Sequence, residues 1–294
     1  MIIKKKQVGN QIYYYLEHSF RKDGKVHKKE VYLGKEIPKE IEEIKKKFIF
    51  DIYKEKWFEL FGKISKNYSK EERSMPKSAK EKEIENFMIK FTYNTQRIEG
   101  SKLSLKDTAN LLERGITPKE KPVRDIKEAE NHKKVFYEML NHKKELNQQI
   151  VLYWHKNLFK DTKEDIAGRI RAHQVIISRS KFIPPRPAEL DFLLKEFFDW
   201  CNQNKNKINP AELAALVHLK FVSIHPFSDG NGRISRLMMN FVLNKHGFPM
   251  LDIPYTNRNG YYNALERTQI KKNELIFLQW FFKRYFNETK RFLK

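Results

Sequence analysis

His225-Pro-Phe-Ser-Asp-Gly-Asn-Gly-Arg-Ile-Ser-Arg236 runs straight into the apolar residues Leu237, Met238, Met239, Phe241, Val242 and Leu243. Gly230, Asn231 and Gly232 carry little bulk, so the backbone can turn tightly there and come close to a ligand. The periodic apolar residues that follow predict a buried helix starting at the turn. Unpaired N–H groups at a helix start, with the positive end of the dipole behind them, attract phosphate. Arg233 and Arg236 stand three apart, so a helix projects both from one face near its N-terminus, where two successive phosphates would lie. Asp229 is a hard oxygen ligand placed to hold a magnesium ion bridging phosphates. His225 can take a proton near neutral pH. Together they suggest a hydroxyl deprotonated by His225 and attacking a phosphorus held on the turn. Each residue alone has a plainer reading as a buried histidine, a helix cap or solvated arginines. So many positions agreeing favours the phosphate reading.

The stretch resembles the signature of Fic-domain proteins, His-Pro-Phe-x-(Asp or Glu)-Gly-Asn-(Gly or Lys)-Arg-x-x-Arg, at every specified position. The resemblance implies a mainly α-helical Fic-type core with a β-hairpin flap, and transfer of AMP from ATP to a Tyr, Ser or Thr hydroxyl of a protein with release of pyrophosphate. It makes His225 the general base, Phe227 the apolar anchor of the loop and Asp229 the holder of Mg2+. Gly230, Asn231 and Gly232 become the anion hole for the α- and β-phosphates, Arg233 the β-phosphate ligand and Arg236 the γ-phosphate ligand. Relatives that act like kinases carry Lys where this chain has Gly232, so Gly232 favours AMP transfer.

Upstream, Thr95-Gln-Arg-Ile-Glu99-Gly100 is similar to the family's inhibitory pattern, (Ser or Thr)-x-x-x-Glu-(Gly or Asn). The resemblance implies that Thr95 and Glu99 lie on an inhibitory helix N-terminal to the core, and that Glu99 pairs with Arg236 and denies it to the γ-phosphate. An arginine held bidentately by a carboxylate cannot also grip a phosphate.

Lys and Arg number 59 against 37 Asp and Glu, a net charge of +22 that could draw nucleic acid, acidic partners or nucleotides. The excess is spread along the whole chain, however, as lysine-rich coding also produces. A single cysteine, Cys201, excludes an intramolecular disulfide and suits a reducing cytoplasm. No apolar run approaches the ~18 residues of a membrane span. Met1-Ile-Ile-Lys-Lys-Lys lacks the apolar core of a signal peptide. The expectation is a cytoplasmic protein without a membrane partner.

Residues 1–37 read as a small β unit, with Asp23-Gly24 as a hairpin signal between strand-like runs. Tyr13, Tyr14, Tyr15, Arg21 and Lys22 could stack on and neutralise a nucleic acid. The preferred reading is that the tyrosines pack on a neighbouring helix. Residues 38–79 read as a charged helix to about Leu60 followed by a polar linker containing Pro76. The Fic domain then spans 80–294, with the inhibitory helix at about 81–100. Within it, helices are expected at 103–115 with Ser104 as cap, 125–144, 148–159, 188–204, 210–224 and 273–292. Val175, Ile176, Ile177, Phe182 and Ile183 predict the two strands of the flap, around a Ser-Arg-Ser-Lys turn. An exposed strand edge there would align an extended target peptide through its backbone. His132, His142 and His155 have no metal-ligand spacing and receive no role. The resemblance implies that this part of the chain lies beside the nucleotide, which makes Tyr261 or Tyr262 a candidate to stack on adenine.

Two rival readings are kept. In one, Glu99 activates water and the chain removes AMP. In the other, a nucleic-acid-binding regulator senses nucleotide through its core. Self-modification and a homodimer are left open.

Overall fold

The computed structural model describes residues 1–22, 25–178 and 180–293, and its chain divides into two compact units, Met1–Gly62 and Lys63–Lys294. In the first, β1 (Ile2–Val8), β2 (Gln11–Lys22) and β3 (Lys25–Gly34) form an antiparallel sheet in the order β1-β2-β3. The expected Asp23-Gly24 turn lies outside the described residues. Period-2 alternation sends Leu16 to one face, where it is fully buried. On that same face Lys29 bonds Glu55 of α1 (Ile41–Ser74). Tyr15 and Tyr32, one residue out of phase with the Leu16–Val31 pair, therefore point to the opposite face. The expectation that the tyrosines pack on a helix thus fails for Tyr13 and Tyr15.

The linker expected at 63–80 is absent. α1 continues to Ser74, and α2 (Lys77–Ile98) begins directly after Pro76, whose φ of −57° suits a helix start. Ile64 is fully buried and Tyr68 meets Phe292 edge-on at 5.4 Å. These two residues, four apart, are the inward stripe of a helix whose polar side dominates the composition.

α3 (Leu105–Arg114) starts on a capping box between Ser104 and Asp107 and ends at Gly115 with φ +68°. α4 (Val123–Asn141), α5 (Gln148–Phe159), α6 (Leu190–Asn204), α7 (Pro210–Ile224), α8 (Asn231–Lys245), α9 (Arg258–Lys271) and α10 (Glu274–Glu288) follow. α8 is buried from Arg233 through Leu243 and packs against α7, α4, α5 and α2. A helix buried all round has no solvent face to slide along, and each fully buried Leu or Phe contributes about 1.5–3 kcal/mol. The residues at its N-terminus are therefore fixed in place.

The flap differs from expectation. Among the described residues of 171–186 there is no strand, only extended and turn backbone. Its polar groups go elsewhere: the Lys181 N–H donates to Glu266 at 2.6 Å and the Gln174 amide to the Pro184 carbonyl at 3.0 Å. Apolar composition alone could not distinguish a strand pair from extended chain anchored by side chains.

Candidate active site

α7 ends at His225, which caps the helix in the left-handed conformation with φ +54°. Its Nδ1 lies 3.1 Å from the Val222 carbonyl. A carbonyl only accepts, so Nδ1 carries the proton and, in the neutral ring, Nε2 carries the lone pair. Burial depresses the His225 pKa, helped by Arg171, against the raising effects of the Val222 bond, Glu99 and Asp229. The imidazole is thus neutral at pH 7 and ready to accept a proton on Nε2.

Arg171 supports this turn. It is 4% exposed and spends its guanidinium on three carbonyls, His225 at 2.9 Å, His173 at 2.9 Å and Pro185 at 2.6 Å. Burial without a compensating carboxylate depresses its pKa.

Phe227 anchors the loop as expected. It is fully buried and stacks on His155 at 3.8 Å. The Asn231 side chain clasps Phe227, accepting from its N–H at 2.9 Å and donating to its carbonyl at 2.8 Å. The Asn231 side-chain oxygen and one amide N–H are thus spent on the loop, whereas the sequence reading assigned the whole residue to the anion hole. His155 accepts from Gly168 N–H at 2.9 Å on Nδ1, so Nε2 donates to the Asp229 carbonyl at 3.0 Å. Burial brings His155 down to about 4, and Arg233 adds to the effect. It pins the loop as a neutral ring. Gly230 takes φ +81°, and a Cβ there would sit 2.4 Å from the Phe159 ring. No side chain caps α8, so its first N–H groups are directed along the axis toward the loop.

The Asp229 carboxylate meets Lys163 through Oδ2, and Oδ1 accepts from Arg233 at 3.0 Å and from Gly230 N–H at 2.5 Å. Burial alone would raise its pKa, but Arg233 and Lys163 hold it at about 2. It is a permanently charged hard ligand. Among the described residues no three His, Cys, Asp or Glu converge on a metal-sized space. Asp229 would have to share a magnesium ion with substrate phosphates, as Mg2+ sites of one or two carboxylates do.

Both arginines of the signature are buried rather than displayed. Arg233 is 2% exposed and bonds Glu128 of α4, Gln96 at 3.1 Å and Asp229. Arg236, 1% exposed, donates to Thr95 Oγ1 at 2.6 Å, the Thr95 carbonyl at 3.3 Å, Tyr261 at 3.3 Å and Glu99 at 2.7 Å. Its pKa is raised by Tyr261 and Glu99 despite its burial. Glu99 forms the C-cap of α2 and reaches Arg236 through one oxygen, not the bidentate pair envisaged from sequence. The same carboxylate lies over the turn: a Cβ on Gly232 would come within 2.5 Å of Glu99 Oε1. Tyr261 is a core residue, 1% exposed and 2.9 Å from His218, so it is not free to stack on a base. Tyr262 is 43% exposed, with its hydroxyl on the Ile98 carbonyl.

Sequence reading missed Gln96, Glu128, His155, Lys163 and Arg171. Glu128 carried a signal: it falls in the inward stripe Asp125, Glu128, Ala129, His132 and Phe136 of α4, where an acid implies a buried cation. The other four come together only through the fold.

The fold places an αL histidine on the loop that leads into the uncapped start of a buried helix. Residues 145–243 match the model of the Fic/DOC family. The chain is 35% identical over 182 residues to protein adenylyltransferase fic-1 of Caenorhabditis elegans, and 33% identical over 178 residues to protein adenylyltransferase Fic of Drosophila ananassae. These alignments cover 60% and 59% of this chain, which spans about 35% of the length of each relative. Among solved structures, a Fic-domain signaling protein of Bacteroides thetaiotaomicron is 26% identical with a TM-score of 0.70, covering 79% of this chain and 96% of that one. Fic-1 of C. elegans, also 26% identical, gives a TM-score of 0.71 over 83% of this chain and 72% of that one.

Proposed function

We propose that this chain transfers AMP from ATP to a Tyr, Ser or Thr hydroxyl of a protein, itself included, and is restrained by Glu99. The observation that carries the reading is the neutral His225, its Nδ1 proton turned to the Val222 carbonyl so that Nε2 keeps the lone pair, on the loop that joins α7 through Asp229 to the uncapped N-terminus of α8. His225 Nε2 takes the proton of the target hydroxyl as its oxygen attacks the α-phosphorus. The bond from that phosphorus to the oxygen bridging to the β-phosphate breaks, and pyrophosphate leaves. Backbone N–H groups of the Gly230–Gly232 turn hold the α- and β-phosphates. Arg233 meets the β-phosphate from its buried seat, and Arg236, released by Glu99, meets the γ-phosphate. Asp229 would hold Mg2+ together with the phosphates, and the ion when bound neutralises charge on the departing pyrophosphate. The described residues of 171–186, with Ile176 and Ile183 88% and 77% exposed, form the surface on which a target chain would lie. The cytoplasm is taken as the setting on the single buried Cys201 alone.

One feature favours AMP removal as a second reading. Glu99 lies directly over the phosphate-binding turn, where a carboxylate could activate water as well as block a phosphate. Label transfer from α- and γ-labelled ATP with Mg2+ distinguishes the two. Transfer reads as α-label on protein in Glu99→Gly that is lost when His225→Ala is added. Removal reads as loss of label from adenylylated protein that needs Glu99. The rate of transfer should be flat above neutral pH and fall on acidification only below the ordinary histidine pKa, because burial favours the unprotonated ring. Absence of α-label in every variant would overturn the transfer reading.

A further inference from the structure

The first unit has no part in the chemistry above, and its open face has a composition of its own. The pairing register places Tyr13, Tyr15 and Tyr32 on one side of the sheet together with Lys4, Lys6, Arg21 and Lys28. The face opposite carries buried Leu16 and the bond from Lys29 to α1, and Lys5, Lys25 and Lys29 share that face, so what sets the open side apart is its rings among cations and not its charge alone. The three rings form one patch, with centroids 5.3 Å apart for Tyr15 and Tyr32 and 6.1 Å for Tyr13 and Tyr32, and Tyr32 is 54% exposed. Lys6 lies over Tyr15 at 4.3 Å. Across residues 1–35, nine lysines and arginines stand against three acids. Two of those acids share the open face, Glu17 on Lys4 and Glu30 on Lys6, both at 2.5 Å. Arg21 and Lys28 stay exposed at the β3 side of the patch.

We propose that this face binds a nucleic-acid strand, with the tyrosines stacking on bases and the lysine and arginine side chains meeting phosphates. Rings without charge would suit an apolar protein segment. Charge without rings would suit any polyanion. The combination, on a sheet backed by a helix, matches single-stranded nucleic acid, whose bases are free to stack on aromatic side chains while its backbone tracks a basic surface. Spacing agrees. Tyr13 and Tyr15 are two residues apart on one strand, about 6.8 Å. That is twice the ~3.4 Å rise of a stacked nucleotide, so bases would seat there splayed, as an unpaired strand permits and a duplex does not. The Lys4–Glu17 and Lys6–Glu30 pairs occupy two of the cations, Lys6 resting over the Tyr15 ring, leaving Arg21 and Lys28 to neutralise the backbone while a base stacks on the ring faces that remain open.

The test uses the full chain and fluorescent 20-nucleotide RNA and DNA, single-stranded and duplex, titrated by anisotropy at 50 and 200 mM salt. Binding of single strands over duplex is expected, weakening steeply with salt. Tyr15→Leu with Tyr32→Leu keeps β-forming bulk but removes the stacking surface, and should weaken single-strand binding roughly fivefold to a hundredfold for each base left unstacked. Tyr15→Phe with Tyr32→Phe should restore it. Arg21→Gln with Lys28→Gln should lower the slope of log affinity on log salt by about 0.7 for each phosphate of a single strand left without its cation. Far-ultraviolet circular dichroism checks that each variant is folded. The proposal is overturned if folded Tyr→Leu protein binds as before, if polyglutamate of matched charge competes as well as the oligonucleotide, if duplex is preferred, or if nothing binds at 50 mM salt.

Discussion

Replacing Glu99 by glycine should make the protein less stable and more active, and the opposition of signs is the informative part. Arg236 is buried, and its partners Thr95 Oγ1, the Thr95 carbonyl and Tyr261 are neutral. Its charged partner is Glu99 at 2.7 Å, whose carboxylate is 25% exposed. A hydrogen bond to a charged group contributes about 1.5–3 kcal/mol, and partial exposure puts this one near the lower end, about 1.5–2 kcal/mol. Stability should therefore fall by that amount, roughly 3–8 °C in Tm for a domain of this size. Glycine at a helix C-cap adds little backbone cost of its own. A γ-phosphate approaching Arg236 no longer has to displace the carboxylate, so ATP should bind roughly 10- to 30-fold more tightly. Thermal melts and nucleotide titrations of the parent, Glu99→Gly and Glu99→Gln measure both sides. Glutamine keeps an acceptor but not the charge and should fall between. A Glu99→Gly protein that melts at the parent temperature and binds ATP no more tightly would falsify the restraint.

Other expectations follow from the supports of the site. Asp252 is raised to about 6, chiefly by burial against the bond from Asn94, and its Oδ1 is buried without a partner. A carboxyl raised in the folded state costs stability in full above that pKa, and the cost fades as the pH falls from there to the ordinary carboxylate pKa. Asp252→Asn should stabilise by about 2–3 kcal/mol at pH 8 and by about half as much at pH 5, read from melts at both. Gly230→Ala forces a left-handed alanine whose Cβ meets the Phe159 ring, so a loss of about 2–5 kcal/mol is expected in denaturant titrations, along with activity. Arg171→Lys cannot reach all three carbonyls with one ammonium. Transfer should drop at least tenfold while nucleotide affinity changes little, as single-turnover labelling and titration would separate.

The signature was legible because it is written locally: the turn, the histidine and the arginines lie within twelve residues. Helices with strong caps were legible for the same reason, Ser104 and Gly115 around α3 and Asn209 with Pro210 before α7 among them. The second half of α1 was hidden because its inward residues, Ile64 and Tyr68, are sparse in a lysine- and glutamate-rich run. The flap misled because its backbone is held by Glu266 and Arg171, residues remote from the strand-like sequence. Burial of the two arginines was not visible at all. It depends on acids supplied by α2 and α4, which approach α8 only once the domain has folded.

Both signature arginines are held by carboxylates, yet the two pairs are built differently. Glu128 projects from the middle of α4, 5% exposed, and is joined through Lys163 to Asp229. Removing its charge strands Arg233 in a buried setting with Asp229 as the remaining acid. Glu99 is the C-cap of α2, its side chain 25% exposed and next to Gly100 with φ +99°, at a helix end where local opening costs least. Only the second pair can open without unfolding its helix, so release should be specific to position 99. Glu128→Gln tests this. Breaking a buried pair from one side costs about 3–5 kcal/mol, less what the amide recovers as an acceptor. The variant should therefore lose stability as Glu99→Gly does, yet show no gain in α-label transfer. If Glu128→Gln activates the protein as strongly as Glu99→Gly, loosening either arginine suffices and Glu99 is not the switch.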